Sequence, residues 1–295
     1  MDFRNIEPNS YEEIKSFIFN QNSKICEYSF GILYIWKDYF NFKYAIYKDY
    51  LFIKEDNEDE ISFLLPIGKD IIEGLNILIE YCKDNNIDLI LDCVPEIYKE
   101  EVNKHLKADP IELKIWSDYL YDALKMSSYS GKQMSKKRTH FNNFISKYPN
   151  YKVEIIDENN IHKVKLFYEQ FRINNKKDYD LFKYEENNLH RVFNNYFELP
   201  FIGMLLKSDN EVIAFTIGEI VDDVLMVHIE KANREYDGSF PAIQKLFATY
   251  CLENYNIKFI NREDDAGDEG LRKSKLSYKP INLIKKYRFE YKMEK

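Results

Sequence analysis

The chain has 295 residues, of which 45% are hydrophobic and 31% charged, with only 9 glycines and 8 prolines. This composition predicts one large or two ordinary folded domains and argues against long linkers or low-complexity segments. The formal net charge of −8 excludes a general attraction for nucleic acid, so any polyanion must meet a local basic patch.

The cysteines and apolar runs exclude several further classes of protein. Cys26, Cys82, Cys93 and Cys251 form no CxxC pair and indicate neither a zinc site nor a disulfide framework. The polar, acidic start predicts no signal peptide, and the longest apolar run is too short to span a bilayer. We therefore expect a cytoplasmic location and no transmembrane segment.

The first part of the chain mixes helix and strand patterns. Ser10 predicts the start of a helix, with Glu13 at the capping-box position. The run from Phe30 to Trp36 is compatible with either a helix or a buried strand. A hairpin is predicted over residues 44–54, a strand over 61–65, a helix over 71–82 and a further strand over 87–91. These patterns predict an α/β domain over residues 1–115.

The second part, residues 116–295, begins with a strand-like segment and a basic helix over Lys132–Tyr148. Three strands in series are then predicted over residues 201–206, 212–220 and 224–230. Asp209-Asn210 and Asp222-Asp223 separate them and are typical of hairpin turns. Ser239 predicts the cap of the next helix, and a short strand ends at Ile260. This pattern predicts a second α/β domain.

The segment after Ile260 contains a dense cluster of polar residues, namely Asn261, Arg262, Glu263, Asp264 and Asp265. A short helix follows and ends on Arg272, Lys273 and Lys275. Acids in its first turn and cations in its last turn suit the helix dipole, so helix design explains part of the pattern. Polar residues beyond a strand's carboxyl end are also where open α/β sheets bind ligands. The segment is therefore our first candidate site.

The strand before it offers a candidate proton acceptor. Strict alternation places Met226, His228 and Glu230 on one face. A histidine and a glutamate near a strand end suit a general base and its orienting partner. A hydrogen-bonded pair that anchors the next loop explains the same residues. We predict that the strands ending at Glu230 and Ile260 are adjacent, so that Glu230, Arg234 and Asn261 to Asp264 converge on one cleft.

Two segments suggest anion contacts. Arg234 to Phe240 lies between a strand and a helix, and Gly238 with the amides after Ser239 suits an anion site. An ordinary capped helix explains these residues almost as well. Lys136, Lys137 and Arg138 lie near the start of the basic helix, against the dipole preference. They indicate a bound anion, a solvated charged face, or pairing with the acidic cluster.

Several motifs together resemble a known bacterial family. They are Gly131-Lys132, Lys136-Lys137-Arg138, Asn143-Phe144, His228 to Ala232, Asn261 to Asp265, Gly270 to Lys275 and Tyr278-Lys279-Pro280, with Tyr28-Ser29-Phe30, Trp36 and Asp118 to Tyr121 in the rest of the chain. This pattern resembles uncharacterised proteins grouped with the C-terminal domain of phosphatidylglycerol lysyltransferases.

The resemblance implies two tandem GNAT-like acyltransferase domains with mixed sheets flanked by helices, similar to the Fem aminoacyltransferases. It implies transfer of an activated acyl group from acyl-CoA or aminoacyl-tRNA, without a required cofactor or metal, to a small molecule, lipid head group or peptide. Full-length lysyltransferases carry a multi-span membrane portion. We expect no such segment in this sequence, and this is its main departure from those enzymes. A non-catalytic ligand- or tRNA-binding module on a degenerate transferase fold is the competing prediction.

The predicted roles fall into three groups. The candidate catalytic residues are Glu230, Asp264 and His228. The candidate substrate-binding residues are Asn261, Arg262, Glu263, Arg272, Lys275 and Tyr278. The candidate anion, tRNA or cofactor contacts are Lys136, Lys137, Arg138, Arg234, Gly238 and Ser239.

Overall fold

The structure, a computed structural model, describes residues 1–19, 21–57, 60–175 and 180–293. The chain forms two compact units. The first unit comprises Met1–Asp118, Asp264–Gly267 and the residues from Leu283 onward, and the second comprises Tyr119–Glu263 and Asp268–Asn282. The sequence predicted a division at residue 115. In the structure the last strand of the chain belongs to the first unit, although the sequence assigned it to the second.

The first unit is built on a seven-stranded mixed sheet with the order β1-β2-β3-β4-β5-β14-β6. Its strands are β1 (Arg4–Asn5), β2 (Phe42–Tyr47), β3 (Tyr50–Asp56), β4 (Ile61–Phe63), β5 (Leu89–Pro95), β6 (Ile111–Glu112) and β14 (Lys286–Tyr291). Its helices are α1 (Ser10–Ile18), α2 (Phe30–Ile35), α3 (Ile71–Asp84) and α4 (Lys99–Leu106). β14 pairs antiparallel with both β5 and β6, which explains why the end of the chain packs here.

Local sequence accounts for several of these elements. The ambiguous run at Phe30 is the helix α2, because the side chain of Ser29 accepts a hydrogen bond from the amide of Ile32 and caps it. Lys48 and Asp49 both adopt positive φ, so they form the tight turn of the predicted β2–β3 hairpin. The core includes Phe63 and Phe289, both fully buried. Burying each such ring contributes about 2–3 kcal/mol.

The second unit contains another seven-stranded mixed sheet, with the order β13-β7-β12-β11-β10-β9-β8. Its strands are β7 (Asp118–Asp122), β8 (Lys152–Ile155), β9 (Phe201–Ser208), β10 (Glu211–Val221), β11 (Val224–Ala232), β12 (Phe259–Asn261) and β13 (Asn282–Ile284). Its helices are α5 (Ala123–Ser128), α6 (Ser135–Lys147), α7 (Ile161–Asn174), α8 (Asp180–Asn194), α9 (Ser239–Asn254) and α10 (Glu269–Ser277). Within the described residues, no helix is long and apolar enough to cross a membrane.

The centre of this sheet is an antiparallel meander, as the sequence predicted. Asp209, Asn210 and Asp222 adopt positive φ at the two hairpin turns. α9 then crosses the sheet and delivers β12, which pairs parallel to β11. Fully buried side chains such as Phe144 and Ala242 belong to the core that joins α6 and α9 to the meander. This arrangement places the polar segment after β12 beside the end of β11.

Candidate functional site

The two central strands of the second unit are paired over only part of their length. β12 pairs through Phe259, Ile260 and Asn261 with Val224, Leu225 and Met226 of β11. β11 continues to Ala232, whereas the chain leaves the sheet after Asn261. The predicted adjacency of the two strands is confirmed. The strand segment beyond Met226 is therefore not paired with β12. We call the region between this segment of β11 and the chain after Asn261 the opening.

A sharp turn at the end of β12 directs its side chains into this opening. The buried Asn261 accepts a hydrogen bond from the amide of Glu263 through Oδ1, at 2.6 Å. Glu263 adopts a φ of +58°, as asparagine-initiated turns allow. The amide of Arg262 donates to the main-chain oxygen of Tyr119 in β7. Asn261 and Glu263 thus fix the direction in which Arg262 points.

Arg262 and Glu230 form a buried pair in the opening. Arg262 Nη2 lies 3.2 Å from Glu230 Oε1, and Gln244 Nε2 of α9 donates to the same oxygen at 2.6 Å. Burial opposes the charge of Arg262, but Glu230 and the neighbouring tyrosines together outweigh it, so the pKa of the guanidinium is raised. The sequence predicted that Glu230 and Arg262 converge on one cleft, and the 3.2 Å contact is consistent with this.

Three buried polar atoms around this pair have no hydrogen-bond partner within the described part of the chain. They are Arg262 Nη1, Gln244 Oε1 and Thr216 Oγ1. Arg262 is only 8% exposed, and Thr216, which faces Glu230 across β10 and β11, is fully buried. Buried polar atoms are normally paired, because an unpaired one costs about 1–3 kcal/mol. Such a concentration of unpaired atoms indicates a site for a polar ligand.

Aromatic rings surround the guanidinium of Arg262. Its Cζ lies 5.1 Å from the ring centroid of Tyr278 and 5.8 Å from that of Tyr121. Burial raises the pKa of both phenols, so they remain neutral. Tyr121 donates to the main-chain oxygen of Lys275, and Lys275 Nζ donates to the main-chain oxygen of Arg262. Lys275 therefore supports the site from behind instead of facing a ligand as predicted.

Lys137 of α6 approaches the same tyrosine. Its Nζ lies 3.6 Å from the ring centroid of Tyr278. Burial, and next the charge of Arg262, lowers the pKa of Lys137 to about 8. Its predicted companions lie elsewhere, because Lys136 is exposed and Arg138 donates to the main-chain oxygens of Tyr129 and Gly131. The basic helix thus contributes one cation to the site, one to solvent and one to its own loop.

His228 lies in a separate charge cluster. Ile229 pairs with Ile217 and Val227 pairs with Gly218, so a β-bulge leaves His228 without a cross-strand partner. The predicted alternation fails at this point, and the partners of His228 are Glu263 and Glu219 rather than Glu230. Nδ1 lies 2.8 Å from Glu263, and Nε2 lies at ion-pair distance, 3.5 Å, from Glu219.

The charge state of His228 argues against its predicted catalytic role. The side chain is fully buried, which by itself lowers its pKa, but the carboxylates of Glu219 and Glu263 raise the pKa to about 9. The imidazole is therefore protonated near neutral pH. A protonated imidazole cannot accept a proton from a substrate, so His228 and its two carboxylates form a structural ion cluster.

Part of the predicted anion loop is engaged in contacts of its own. The amides of Glu235, Tyr236 and Ser239 donate to oxygens within the loop, and Ser239 Oγ donates to the main-chain oxygen of Asn233. Gly238 has a φ of +83°, and a Cβ there would lie 2.6 Å from the main-chain oxygen of His140. Gly238 thus allows α6 to approach this loop closely. Arg234 is exposed.

The two remaining predicted residues lie outside the opening. Asp264 belongs to the first unit, where Oδ1 accepts from the amide of Ala266. Arg272 is partly buried on α10, and its amide continues the helix by donating to Asp268.

The first unit contains a buried cluster that has the spacing of a metal site. Ligand atoms of Cys26, Asp118 and Asp264 lie within 4.8 Å of one another. The ammonium of Lys286, fully buried, lies 2.7 Å from Asp118 Oδ1 and 2.6 Å from Glu27 Oε1. Although burial opposes its charge, Asp118 and its neighbours hold the pKa of Lys286 well above its usual value. The protein therefore supplies its own cation to these acids.

Sequence reasoning missed Gln244, Thr216 and the contribution of Tyr121. Gln244 had a readable signal, because it is a polar residue in the otherwise apolar buried stripe of α9 with Phe247 and Cys251. A polar residue in such a stripe needs a buried partner, here Glu230. Thr216 and Tyr121 gave no such signal, since both residue types are ordinary in strands.

Sequence comparison shows relatives of unassigned activity. An uncharacterized protein of Mycoplasmoides gallisepticum is 28% identical over 173 residues, which cover 58% of this chain and 55% of that protein. The match thus spans about half the length of that curated relative. A conserved protein of unknown function from Bacteroides thetaiotaomicron is 28% identical, with a TM-score of 0.92 over 99% of this chain and 100% of that one.

Two more distant solved structures share the fold. L-PGS from Bacillus licheniformis superimposes with a TM-score of 0.70 at 12% identity, over 99% of this chain and 94% of that one. FemX superimposes with a TM-score of 0.60 at 11% identity, over 99% and 98%. The predicted pair of tandem GNAT-like domains is confirmed. The family model described as phosphatidylglycerol lysyltransferase, C-terminal, matches residues 20–290. The chain therefore belongs to this family, as its motifs suggested.

Proposed function

We propose that the second unit transfers an aminoacyl group from the ester of an aminoacyl-tRNA to an amine or hydroxyl acceptor. One observation carries this proposal, namely the buried Arg262 Nη1, which has no partner in the described residues, beside the Glu230 carboxylate. An ester carbonyl that develops negative charge needs such a preorganised donor. The family and the fold support an acyl- or aminoacyl-transferase in general.

The surrounding groups suit an aminoacyl ester in particular. The α-ammonium of the donor would donate hydrogen bonds to Glu230 and to Gln244 Oε1, a second unpaired atom beside this pair. Arg262 Nη1 would donate to the carbonyl oxygen and stabilise the oxyanion as the acceptor attacks. A simple acyl group has no ammonium, so it would leave Glu230 and Gln244 without a role in recognition.

The Gly238 loop favours tRNA over acyl-CoA as the carrier of the acyl group. A coenzyme A pyrophosphate needs free amides at a helix N-terminus, whereas the amides of Glu235, Tyr236 and Ser239 already donate within the loop. Exposed cations, including Lys132, Lys136 and Arg234, are available for phosphate contacts instead. Such contacts make binding strongly dependent on salt.

A non-catalytic binding module is the second candidate function. It is favoured by the carboxylates of the site, because Glu230 is already paired with Arg262, while Glu219 and Glu263 are held by His228. In that case the opening would bind an aminoacyl group or another zwitterion without transferring it. The two functions differ in turnover rather than in recognition.

The test supplies the full chain with tRNA charged separately with each radiolabelled amino acid. Soluble amines, short peptides and phosphatidylglycerol vesicles serve as acceptors, and acyl-CoA is the alternative donor. We expect protein-dependent transfer of label from at least one aminoacyl-tRNA. Arg262→Lys should lower kcat about 10²–10³-fold, as loss of an oxyanion donor does. The exposed Arg4→Lys is the matched control and should be unchanged.

The melting temperature of each variant shows whether it is folded. Transfer from acyl-CoA alone would contradict the choice of donor. Stabilisation by a charged tRNA or an aminoacyl ester without any transfer would favour the binding module.

A further inference from the structure

The proposed reaction needs a proton acceptor, and the residues that the sequence offered for this role are engaged elsewhere. Glu230 accepts from both Arg262 and Gln244. His228 is protonated between two carboxylates, and Asp264 packs in the first unit. An attacking amine or alcohol must lose a proton as its bond to the carbonyl carbon forms. Another group in the opening has to receive it.

Lys137 has the position for this role. Its Nζ lies 3.6 Å from the ring centroid of Tyr278, and the guanidinium of Arg262 faces the same ring at 5.1 Å. The side chain has no hydrogen-bond or ion-pair partner among the residues that the structure describes. The charged and titratable groups that face it are Arg262 directly after β12, Glu230 in β11 and Tyr278 directly after α10. Its neighbours on α6, Lys136 and Arg138, point to solvent and to the preceding loop.

We propose that Lys137 is the catalytic proton acceptor of the transfer reaction, an inference that rests on the proposed function. The acceptor's nitrogen or oxygen attacks the ester carbonyl carbon, and the carbonyl π electrons move to the oxygen next to Arg262 Nη1. The neutral amine of Lys137 takes the proton from the attacking atom. The bond between the carbonyl carbon and the ribose oxygen then breaks, and the Lys137 ammonium returns the proton to that oxygen. An ester and an amine thus give an amide and an alcohol, with no net proton released.

The environment of Lys137 prepares it for this task. An ordinary lysine is almost entirely protonated at neutral pH and cannot act as a base. Burial and the nearby Arg262 lower the pKa of Lys137 to about 8, so a substantial fraction is neutral at pH 7.5. A catalytic base works best when its pKa lies near the operating pH. The ring of Tyr278 lies against the ammonium that forms when Lys137 takes up the proton.

The first measurement tests the state of Lys137 without any substrate. The full chain is labelled at trace level with acetic anhydride between pH 6 and pH 11, and each lysine is quantified by mass spectrometry. We expect a labelling midpoint near pH 8 for Lys137, well below the value of about 10.4 for a lysine in a model peptide, and the exposed Lys136 is followed in the same samples. Arg262→Met should raise the Lys137 midpoint. Equal midpoints for the two lysines would overturn the proposal.

The second measurement tests the role of Lys137 in turnover. Lys137→Arg keeps a cation that cannot be deprotonated, whereas Lys137→Met removes it. Lys147→Arg, an exposed position on the same helix, is the matched control. We expect both Lys137 variants to lower kcat about 10²–10⁴-fold with little change in KM, and to lose the inflection near pH 8. The control should retain wild-type kcat and the inflection.

The two proposals fail in different ways. Turnover by Lys137→Arg with an unchanged pH profile would overturn the role of Lys137 and leave the transfer reaction standing. Absence of turnover by the unaltered protein with every aminoacyl-tRNA would overturn the transfer reaction itself.

Discussion

Raising the pH should remove a stabilising proton from the buried His228. The imidazolium lies between Glu263 and Glu219, and these carboxylates raise its pKa to about 9. An unfolded histidine titrates near 6.5. Because the folded state holds the proton more tightly, the stabilisation is complete below about pH 6.5 and is lost as the pH rises through about 9. At about 1.4 kcal/mol per pH unit, the difference corresponds to roughly 3 kcal/mol of unfolding free energy.

Urea denaturation at several pH values between 6.5 and 9.5 measures this effect. Burial raises the pKa of Glu55 to about 8, so Glu55 also loses stabilisation as the pH rises towards that value. Only the difference between wild type and His228→Gln isolates the histidine, since Glu55 is common to both. We expect the wild-type advantage to be about 3 kcal/mol larger at pH 6.5 than at pH 9.5. The exposed His140→Gln, at a histidine without an ion pair among the described residues, is the matched control.

Parallel stability curves for wild type and His228→Gln would refute this reasoning. They would mean that the imidazole is neutral when folded, and that the two carboxylates do not hold a proton on it. His228 would then return as a candidate base at the opening, and the argument for Lys137 would weaken. The same titration therefore bears on both the structure and the mechanism.

Two further changes test packing and buried charge. Lys286→Met should lower the unfolding free energy by about 3–5 kcal/mol, because it leaves two buried carboxylates without their cation. Lys273→Met, at an exposed pair, is the control and should leave the midpoint of urea denaturation unchanged. Gly238→Ala should lower the melting temperature more than Gly131→Ala does. Both glycines have φ near +80°, but only the Cβ at position 238 would meet another main chain, while position 131 has open space. Equal losses of stability for the two lysine variants would contradict the role of the Lys286 ion pairs. Equal melting temperatures for the two glycine variants would contradict the close approach of the chain at Gly238.

The location of the site could be predicted from sequence because its signals are local. An apolar run followed by Asn261, Arg262 and Glu263 indicated a strand end with an excess of polar groups. Aspartate and asparagine at the meander turns indicated adjacent antiparallel strands. From these two patterns, β12 was expected to pair with β11, and it does. The fold class followed from the same order of elements and from the family motifs.

The composition of the site could not be predicted, because it depends on contacts between distant segments. The period of two in a strand assumes an uninterrupted ladder, and the bulge at His228 breaks it. The contact of Lys137 with Tyr278 joins residues far apart in the chain, and no local pattern specifies it. The pairing of β14 with β5 in the first sheet is another such contact, because the sequence pattern of a strand does not specify which strands it pairs with. Sequence patterns identify surfaces, whereas the partner of each surface is set by the whole fold.

The charge clusters around His228, Lys286 and Arg262 differ in a way that bears on function. His228 and Lys286 each lie between two carboxylates, so burial of the cation is offset by opposite charge on both sides. In the opening, Arg262 and Lys137 face the single carboxylate of Glu230. The lowered pKa of Lys137 means that its charge opposes folding below about pH 8, which a purely structural group would not be expected to do. The unbalanced cation and the unpaired Arg262 Nη1 lie in one buried place, where a ligand of opposite polarity would compensate both. In the proposed reaction, the polarised ester carbonyl and the attacking acceptor are that ligand.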